Sequence, residues 1–234
     1  VGEHHQEVPW LTAMDFVDQL VTAIAVIATR GLPNTIFLSA SAYAFGLCLG
    51  LLFAFIQVLV KGPAGRAVDA VVTVLRGIPP VLLLFMIFYG LPALGVRLNN
   101  VISAIIGLGL ISGAYQSQVL RSSIEAVSAR QLEAALSIGL DSWGAFSSII
   151  FPQAIRLSLP GLVNEFTILL KDTSLAYSIG VVEMFTQAVH IAQARFEYVA
   201  PLSAVAILYL VTCFSISQSV NVLYGKLRVP GYGV

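Results

Sequence analysis

Between Thr35 and Val60 the chain carries no charged residue. A hydrocarbon core about 30 Å thick is crossed by roughly 20 apolar residues in helical form, so this one run is long enough to span lipid. Inside lipid no water pairs with backbone N–H and C=O groups, and a helix satisfies them within its own segment. Four more runs follow: Ile78–Val96, interrupted by Pro79, Pro80 and Pro92, then Val101–Leu120, Ile149–Leu170 and Ala200–Leu223. The expectation is an all-α membrane protein of five transmembrane helices. Composition agrees, with 58% hydrophobic and 10% charged residues and a mean hydropathy of +0.90, far from an ordinary soluble domain. Cys48 and Cys213 fall in apolar runs, where a free thiol behaves as a small hydrophobe. Basic and acidic residues balance at 12 each, so the basic excess of a nucleic-acid binder is missing.

The segment Leu11–Ile27 is of another kind. Leu11, Met14, Val17, Leu20, Val21 and Ile24 recur at helical spacing, with Asp15, Asp18, Gln19 and Thr22 on the other side. Two aspartates make a poor span, so the pattern predicts a helix lying in the membrane interface, with a sixth span as the alternative. Lys61, Arg66, Arg76, Arg121, Arg130, Lys226 and Arg228 fall on one side of a five-span arrangement; Arg30, Arg97, Arg195 and an acidic N-terminus fall on the other. The positive side is cytoplasmic by the positive-inside rule, which puts the N-terminus outside and the C-terminus inside. The expected organisation is an extracytoplasmic tail and interfacial helix over 1–31, a transmembrane domain over 32–225 with a cytoplasmic loop at about 121–148, and a cytoplasmic tail over 226–234. A turn at Gly62–Gly65 and a short surface helix over Arg66–Leu75 complete it. The chain opens on Val1 with no signal-peptide pattern, so its numbering is expected to begin inside the gene product or after processing.

One polar stretch interrupts this apolar chain. It runs Glu133-Ala134-Ala135, then Gly139, and then Ile149, Phe151 and Pro152. Small residues allow close backbone approach, Gly139 permits a sharp turn between two short helices, and Pro152 starts a new helix. An amphipathic hairpin between two spans would need no such spacing. The stretch resembles the EAA loop of type I ABC-importer permeases, with Phe151 where that family has Leu. Arg76-Gly77-Ile78-Pro79-Pro80, Ser112-Gly113-Ala114-Tyr115 and Leu170-Lys171-Asp172-Thr173-Ser174-Leu175 are similar to the polar amino-acid branch of the same family. The matches cover about residues 32–225. The resemblance implies a permease fold whose cytoplasmic coupling loop, with Glu133, Ala134, Ala135, Gly139, Leu140 and Pro152, docks on a separate ABC ATPase. It also implies a second permease copy or paralogue, an extracytoplasmic substrate-binding protein and a polar amino acid as cargo. Leu136, Ile138, Trp143 and Phe146 would add apolar contact to the dock, and Glu133 would brace it, for example against Arg130. ATP and Mg would be bound by the partner ATPase, and no cofactor by this chain.

Asn164 and Glu165 lie inside the fourth span, where an ionisable group is costly and faces a cavity or a partner. Glu165 could pair structurally with Lys171 or across a dimer. Alternatively it holds the α-ammonium of an amino acid, with Asn164 supplying hydrogen bonds. Tyr115, Lys171 and Asp172 are further candidates for lining the path, although a buried Tyr with a satisfied hydroxyl is an equal reading. Arg76 is expected to anchor at the headgroups. No phosphate-binding G-x-x-x-x-G-K-[ST] loop occurs, and neither does H-E-x-x-H or G-x-S-x-G. His4 and His5 in the polar tail and the lone His190 make no metal site. The readings that remain are an ATP-driven permease, a motor-independent transporter or channel for small polar solutes, and a scaffold without a pathway.

Overall fold

Glycine decides how the bundle is assembled. In the computed structural model, which describes residues 9–60 and 62–227, helix α2 (Leu32–Leu59) lies against helix α5 (Asn100–Ser137). Gly46 and Gly50 on α2 face Gly109 and Gly113 on α5. A Cβ on Gly46 would come within 2.9 Å of the Gly109 carbonyl oxygen, and one on Gly113 within 2.8 Å of the Gly46 oxygen. Residues four apart share a helix face, so each pair presents a bare strip of backbone. Lipid tails are as apolar as leucine, which leaves close packing rather than hydrophobic transfer to hold such helices together. Ala42 lies by Gly109 and Gly50 by Ser117, so the two helices run parallel.

Two parallel helices require a return between them. Helix α3 (Pro63–Gly77) leaves the end of α2, and α4 (Pro80–Phe85) departs from it at a bend of 103°. Ile78 and Pro79 are extended at the bend, with ψ of 131° and 130°. A residue before proline is pushed out of the helical region, and Pro80 opens the next helix without loss because its missing N–H would be unpaired there. The chain then passes through a π-helical turn (Met86–Gly90) and a 3-10 turn (Leu91–Leu94). Leu83 and Ile87 pack on Ile111 of α5. The helix expected over Arg66–Leu75 is present as α3, which runs along α5 with Arg76 in its last turn.

After α5 come a four-residue helix α6 (Ser142–Ala145), a π-helical turn (Phe146–Ile150) and α7 (Phe151–Asp172). Gly161 of α7 meets Val119, and Leu169 joins Leu108 in one cluster with Leu38, Ala42 and Leu84. Helix α7 is thus antiparallel to α5. A 3-10 turn (Thr173–Ile179), α8 (Met184–Arg195) and α9 (Val199–Leu227) follow. Cys213 of α9 sits beside Thr167 and Tyr209 beside Glu183, so α9 runs opposite to α7. The far ends of α2, α5 and α9 therefore lie toward the same end of the bundle, as the distribution of basic residues predicts.

Helix α1 (Pro9–Arg30) docks on α8 and α9. Its packed stripe is Leu20, Ala23, Ile24 and Ile27, whereas Val17 and Val21 of the expected apolar side are exposed. Asp15 and Asp18 are exposed. The tail carrying His4 and His5, and the tail beyond Leu227, lie outside the described residues.

Among the described residues, three segments are long and apolar enough to cross a membrane: Leu32–Leu59, Ser142–Ile179 and Val199–Val220. The bent pair Pro63–Gly77 with Pro80–Leu94 brings the number to as many as four. The remaining expected span, Val101–Leu120, is the first half of α5. Its apolar run is diluted by Ser103, Ser112, Gln116 and Ser117, all of which point into the bundle and are buried. A centrally placed helix can carry polar residues that a lipid-facing helix cannot.

Because the α2–α5 contact leaves no room for a side chain, Gly113→Leu should destabilise the protein by about 1–3 kcal/mol or more through overpacking. Thermal unfolding in detergent checks this. Gly90→Ala, at a site with nothing within 4 Å of the added carbon, should leave the midpoint unchanged.

Candidate functional site

Glu165 enters the bundle where α7 crosses α5 and is only 7% exposed. The same crossing sets Ser112 beside its carboxylate. The Ser112 oxygen accepts a hydrogen bond of 2.9 Å from Gln116 Nε2, which leaves its own proton free to point at Glu165. Behind the carboxylate, the Tyr43 hydroxyl donates to the Leu162 carbonyl at 3.0 Å, and its ring stands edge-on to Phe166. Among the described residues no cation pairs with Glu165; the ion pairs there are those of Arg121 with Asp69 and with Glu125.

The opposing wall comes from the bend between α3 and α4. Arg76 lies over the Tyr115 ring, 5.0 Å from its centroid. This is close enough for attraction between guanidinium and ring face. The Tyr115 hydroxyl reaches the Arg76 carbonyl at 3.5 Å, the outer limit for a hydrogen bond. Between these walls is a cavity of about 410 Å³ with Asp172 at its rim. A more open space of about 540 Å³, bordered by Gln118, Ser122 and Asn164, adjoins it. Arg76, Tyr115, Glu165 and Ile168 border both, so the two form one groove along α5 and α7. The groove is apolar over most of its surface but carries one guanidinium and two carboxylates. Ions of opposite sign across a low-dielectric gap suit a zwitterion, because each ligand charge then meets its counterpart.

Of the site residues expected from sequence, Glu165, Asp172 and Tyr115 line the cavity and Asn164 lines its open extension. Lys171 does not. It is exposed and borders neither space. Six residues after Glu165, at 100° per residue, it falls on another face of α7, and the alternative pairing with Glu165 is not formed. Arg76, expected as a headgroup anchor, lies over the Tyr115 ring and borders both spaces. Gln118 and Ser122 were also not foreseen; they follow Tyr115 at three- and seven-residue steps, which keep them on one helix face.

The Glu133 loop lies at the far end of α5. Glu133, Ala134 and Ala135 continue α5 without a break instead of forming a separate short helix. Gly139, at φ +89°, then turns the chain. Its N–H donates to the Leu136 carbonyl and that of Leu140 to Ala135, the crossed pair that closes a helix C-terminus on a left-handed glycine. Asp141 caps α6 by accepting from Gly144 N at 3.0 Å. Pro152 occupies the first turn of α7. Phe146 and Ile150 pack onto Ile124 and Val127, folding the loop back on α5. Glu133, Ala134, Leu136, Ile138 and Trp143 are exposed and Leu140 is half-buried. Ala135 is buried at 2%, so it packs within the chain and is not offered to a partner. The Arg130 side chain, expected near Glu133, lies outside the described residues. Above the loop, the hydrogen bond with Glu125 raises the Arg121 pKa, burial opposes the shift, and Asp69 adds to it.

Glu183, which sequence reasoning did not single out, is fully buried at the start of α8. It accepts from the N–H groups of Phe185 (2.9 Å) and Thr186 (2.7 Å) and from the Tyr209 hydroxyl (2.7 Å). The Met184 N–H beside it donates to Thr35 Oγ1 at 3.0 Å. A carboxylate satisfied in this way at a helix N-terminus is a fastener joining α2, α8 and α9.

A helical bundle with a charged groove and an exposed hairpin at the end of its central helix is the architecture of an ABC-importer membrane component. The chain belongs to the family described as the binding-protein-dependent transport system inner membrane component, whose model matches residues 46–229. It is 38% identical to the probable amino-acid permease protein YxeN of Bacillus subtilis (strain 168), over 81% of this chain and 87% of that one. It is 34% identical to the L-cystine transport system permease protein TcyB of the same organism, over 94% and 92%. The glutamine transport system permease protein GlnP of Escherichia coli (strain K12) is 30% identical over 86% and 92%. Among solved structures, an amino acid ABC transporter with histidines superposes with a TM-score of 0.80 at 27% identity, covering 94% of this chain and all (100%) of that one. The inward-facing MetNI methionine ABC transporter shares the fold, with a TM-score of 0.75 at 15% identity over 87% and 97%.

Replacing Glu183 with Ala would strand two backbone donors and a tyrosine hydroxyl in the interior. The expected loss is about 3 kcal/mol, read as a lower melting temperature in detergent. A change at an exposed position of the same helix, such as His190→Gln, should leave the melting temperature in place.

Proposed function

We propose that this chain is the transmembrane permease subunit of an ATP-driven ABC importer that carries polar amino acids across the inner membrane into the cell. Family membership and the amino-acid permeases among its relatives support this reading. The observation that carries it to particular residues is the groove, where the Glu165 carboxylate, without a cation partner among the described residues, stands across from Arg76. In the proposed complex Glu165 takes the α-ammonium of the amino acid and Arg76 its α-carboxylate, while Asn164, Tyr115 and Asp172 contact the remainder. Lys171 lies outside the groove and has no part in it.

Transport of this kind needs a motor, and the chain lacks a phosphate-binding loop of its own. A separate ATPase subunit would bind ATP and Mg and would grip the exposed tip of the hairpin. Leu136, Ile138 and Trp143 offer apolar area there, bounded by Glu133 and Ala134, with Gly139, Leu140 and Pro152 shaping the turn. Exposed aromatic and aliphatic anchors of this sort are where binding energy concentrates. An extracytoplasmic binding protein would deliver cargo, and a second permease copy or paralogue would close the groove. The N-terminus lies outside and the C-terminus in the cytoplasm, which puts the hairpin on the motor's side.

Glu165→Gln keeps shape and removes charge. Uptake of radiolabelled amino acids by cells carrying the full transport system should fall at least about tenfold, with complex yield and basal ATP hydrolysis unchanged. Normal uptake by this variant would sink the groove as the binding site. For the hairpin, Ala134→Trp and Ile138→Asp should leave the permease folded while motor recovery in a pull-down falls by about tenfold or more. Ala135→Trp should instead unfold the loop itself, since that site is filled. Undiminished motor recovery with both surface variants would place the dock elsewhere.

A further inference from the structure

A polar zipper runs along the seam between α3 and α5. Asp69 of α3 accepts from Arg121 Nη1 at 2.9 Å and, on the same oxygen, from Gln57 Nε2 at 2.8 Å. Gln118 Nε2 reaches Gln57 Oε1 at 3.3 Å, and Arg121 is held from below by Glu125 at 2.8 Å. Seven residues after Asp69, two helical turns on and facing the same way, Arg76 rests on Tyr115. On α5, Arg121 meets Asp69, Gln118 meets Gln57 of α2 and Tyr115 meets Arg76, stepping back by threes along one face. One rigid helix therefore carries both Asp69 and, in the groove wall, Arg76. The 103° bend that follows leaves α3 no axial continuation to hold it in register. Arg76 has no carboxylate partner of its own among the described residues, so its placement depends on what fastens α3.

We infer that Asp69 is a positioning residue: through its bonds to Arg121 and Gln57 it sets the register of α3 on α5 and thereby holds Arg76 opposite Glu165. This rests on the reading of the groove as the amino-acid site. It also supplies a mechanical link to the motor, because Arg121 stands on the same helix as Glu133 and Ala134. A shift of that helix at its cytoplasmic end is transmitted to Arg76 through the Asp69 bond.

The test has one arm that needs no substrate. With Cys48 and Cys213 replaced by Ala and a single probe at Ile168→Cys, which borders the groove, rates of modification are measured with negatively and positively charged methanethiosulfonate reagents. Removing the positive charge with Arg76→Gln should lower the negative-to-positive rate ratio by about fivefold. Asp69→Asn should lower it in the same direction, and Asp69→Asn added to Arg76→Gln should lower it no further. Asp69→Glu, which keeps a carboxylate acceptor for Arg121 and Gln57, should hold it near the parent value. A ratio unmoved by Asp69→Asn, or additive effects of the two single changes, would overturn the inference. Asp69→Glu decides the matter even if Asp69→Asn alone folds poorly, since a ratio that falls with this conservative change as it does with Arg76→Gln would equally overturn the inference. The second arm measures uptake of radiolabelled glutamine, cystine and histidine by the complete system. Asp69→Asn should raise KM by about tenfold with little change in maximal rate, since misplacement of a ligand-holding group by about an ångström is costly. A changed ratio with unchanged uptake of whichever of these is carried would uphold the placement of Arg76 and sink the groove as the amino-acid site.

Discussion

The contact of α2 with α5 through Gly46, Gly50, Gly109 and Gly113 is the constraint on which the rest of the bundle depends. Backbone carbonyls approach within a distance that excludes any Cβ. Helices so close have little freedom to slide, because every neighbouring side chain is already shaped to them. Helix α7 leans on this pair through Gly161 and Leu169, and Glu165 arrives at the groove only because that crossing has one register. The parallel course of α2 and α5 has a topological consequence as well. It forces α3 and α4 into the return path, and the bend that accommodates the return lines the groove beside Arg76.

The bundle divides its polar residues between fastening and function. Glu183 is satisfied by two backbone donors and Tyr209, and nothing of its charge is left for a ligand. Glu165 is buried to a similar degree but faces Ser112 and open space. A carboxylate without a cation partner in an apolar surrounding is expensive to maintain, and in the proposed complex an arriving ammonium would relieve that cost. The two acids differ in surroundings, not in depth, which is why burial alone does not separate them. A similar contrast holds at the hairpin, where Ala135 shapes the loop from inside while Ala134, next to it in sequence, is presented outward.

Continuous helix joins the hairpin to the groove. The last turn of α5 carries Glu133 and Ala134, and the same helix carries Arg121, Tyr115 and Ser112 upward without a break. The loop beyond Gly139 is folded back onto α5 through Phe146 and Ile150, so α7 and its Glu165 leave the same platform. The hairpin is therefore tied to both helices that meet at the carboxylate. This is the sort of rigid connection that alternating access requires.

Much of the molecule is legible in the chain alone. Apolar runs long enough for lipid announce the helices, basic residues group the ends that the bundle does bring together, and the glycine and proline of the hairpin mark its turn and restart. These are local properties, written in short windows of the chain. An ionisable residue inside a span likewise announces Glu165, because its cost in lipid does not depend on the fold. What sequence could not settle was direction. Whether Lys171 shared the groove with Glu165, whether Arg76 lay over Tyr115, and whether Ala135 faced a partner or its own loop each depended on helix rotation and on which helices touch. The central role of α5 was hidden for the same reason: its buried serines and Gln116 dilute the apolar signal, and only packing among long-range neighbours makes polar residues acceptable there. Length, charge and turn chemistry are set by the order of residues, whereas the facing of side chains is set by which helices touch.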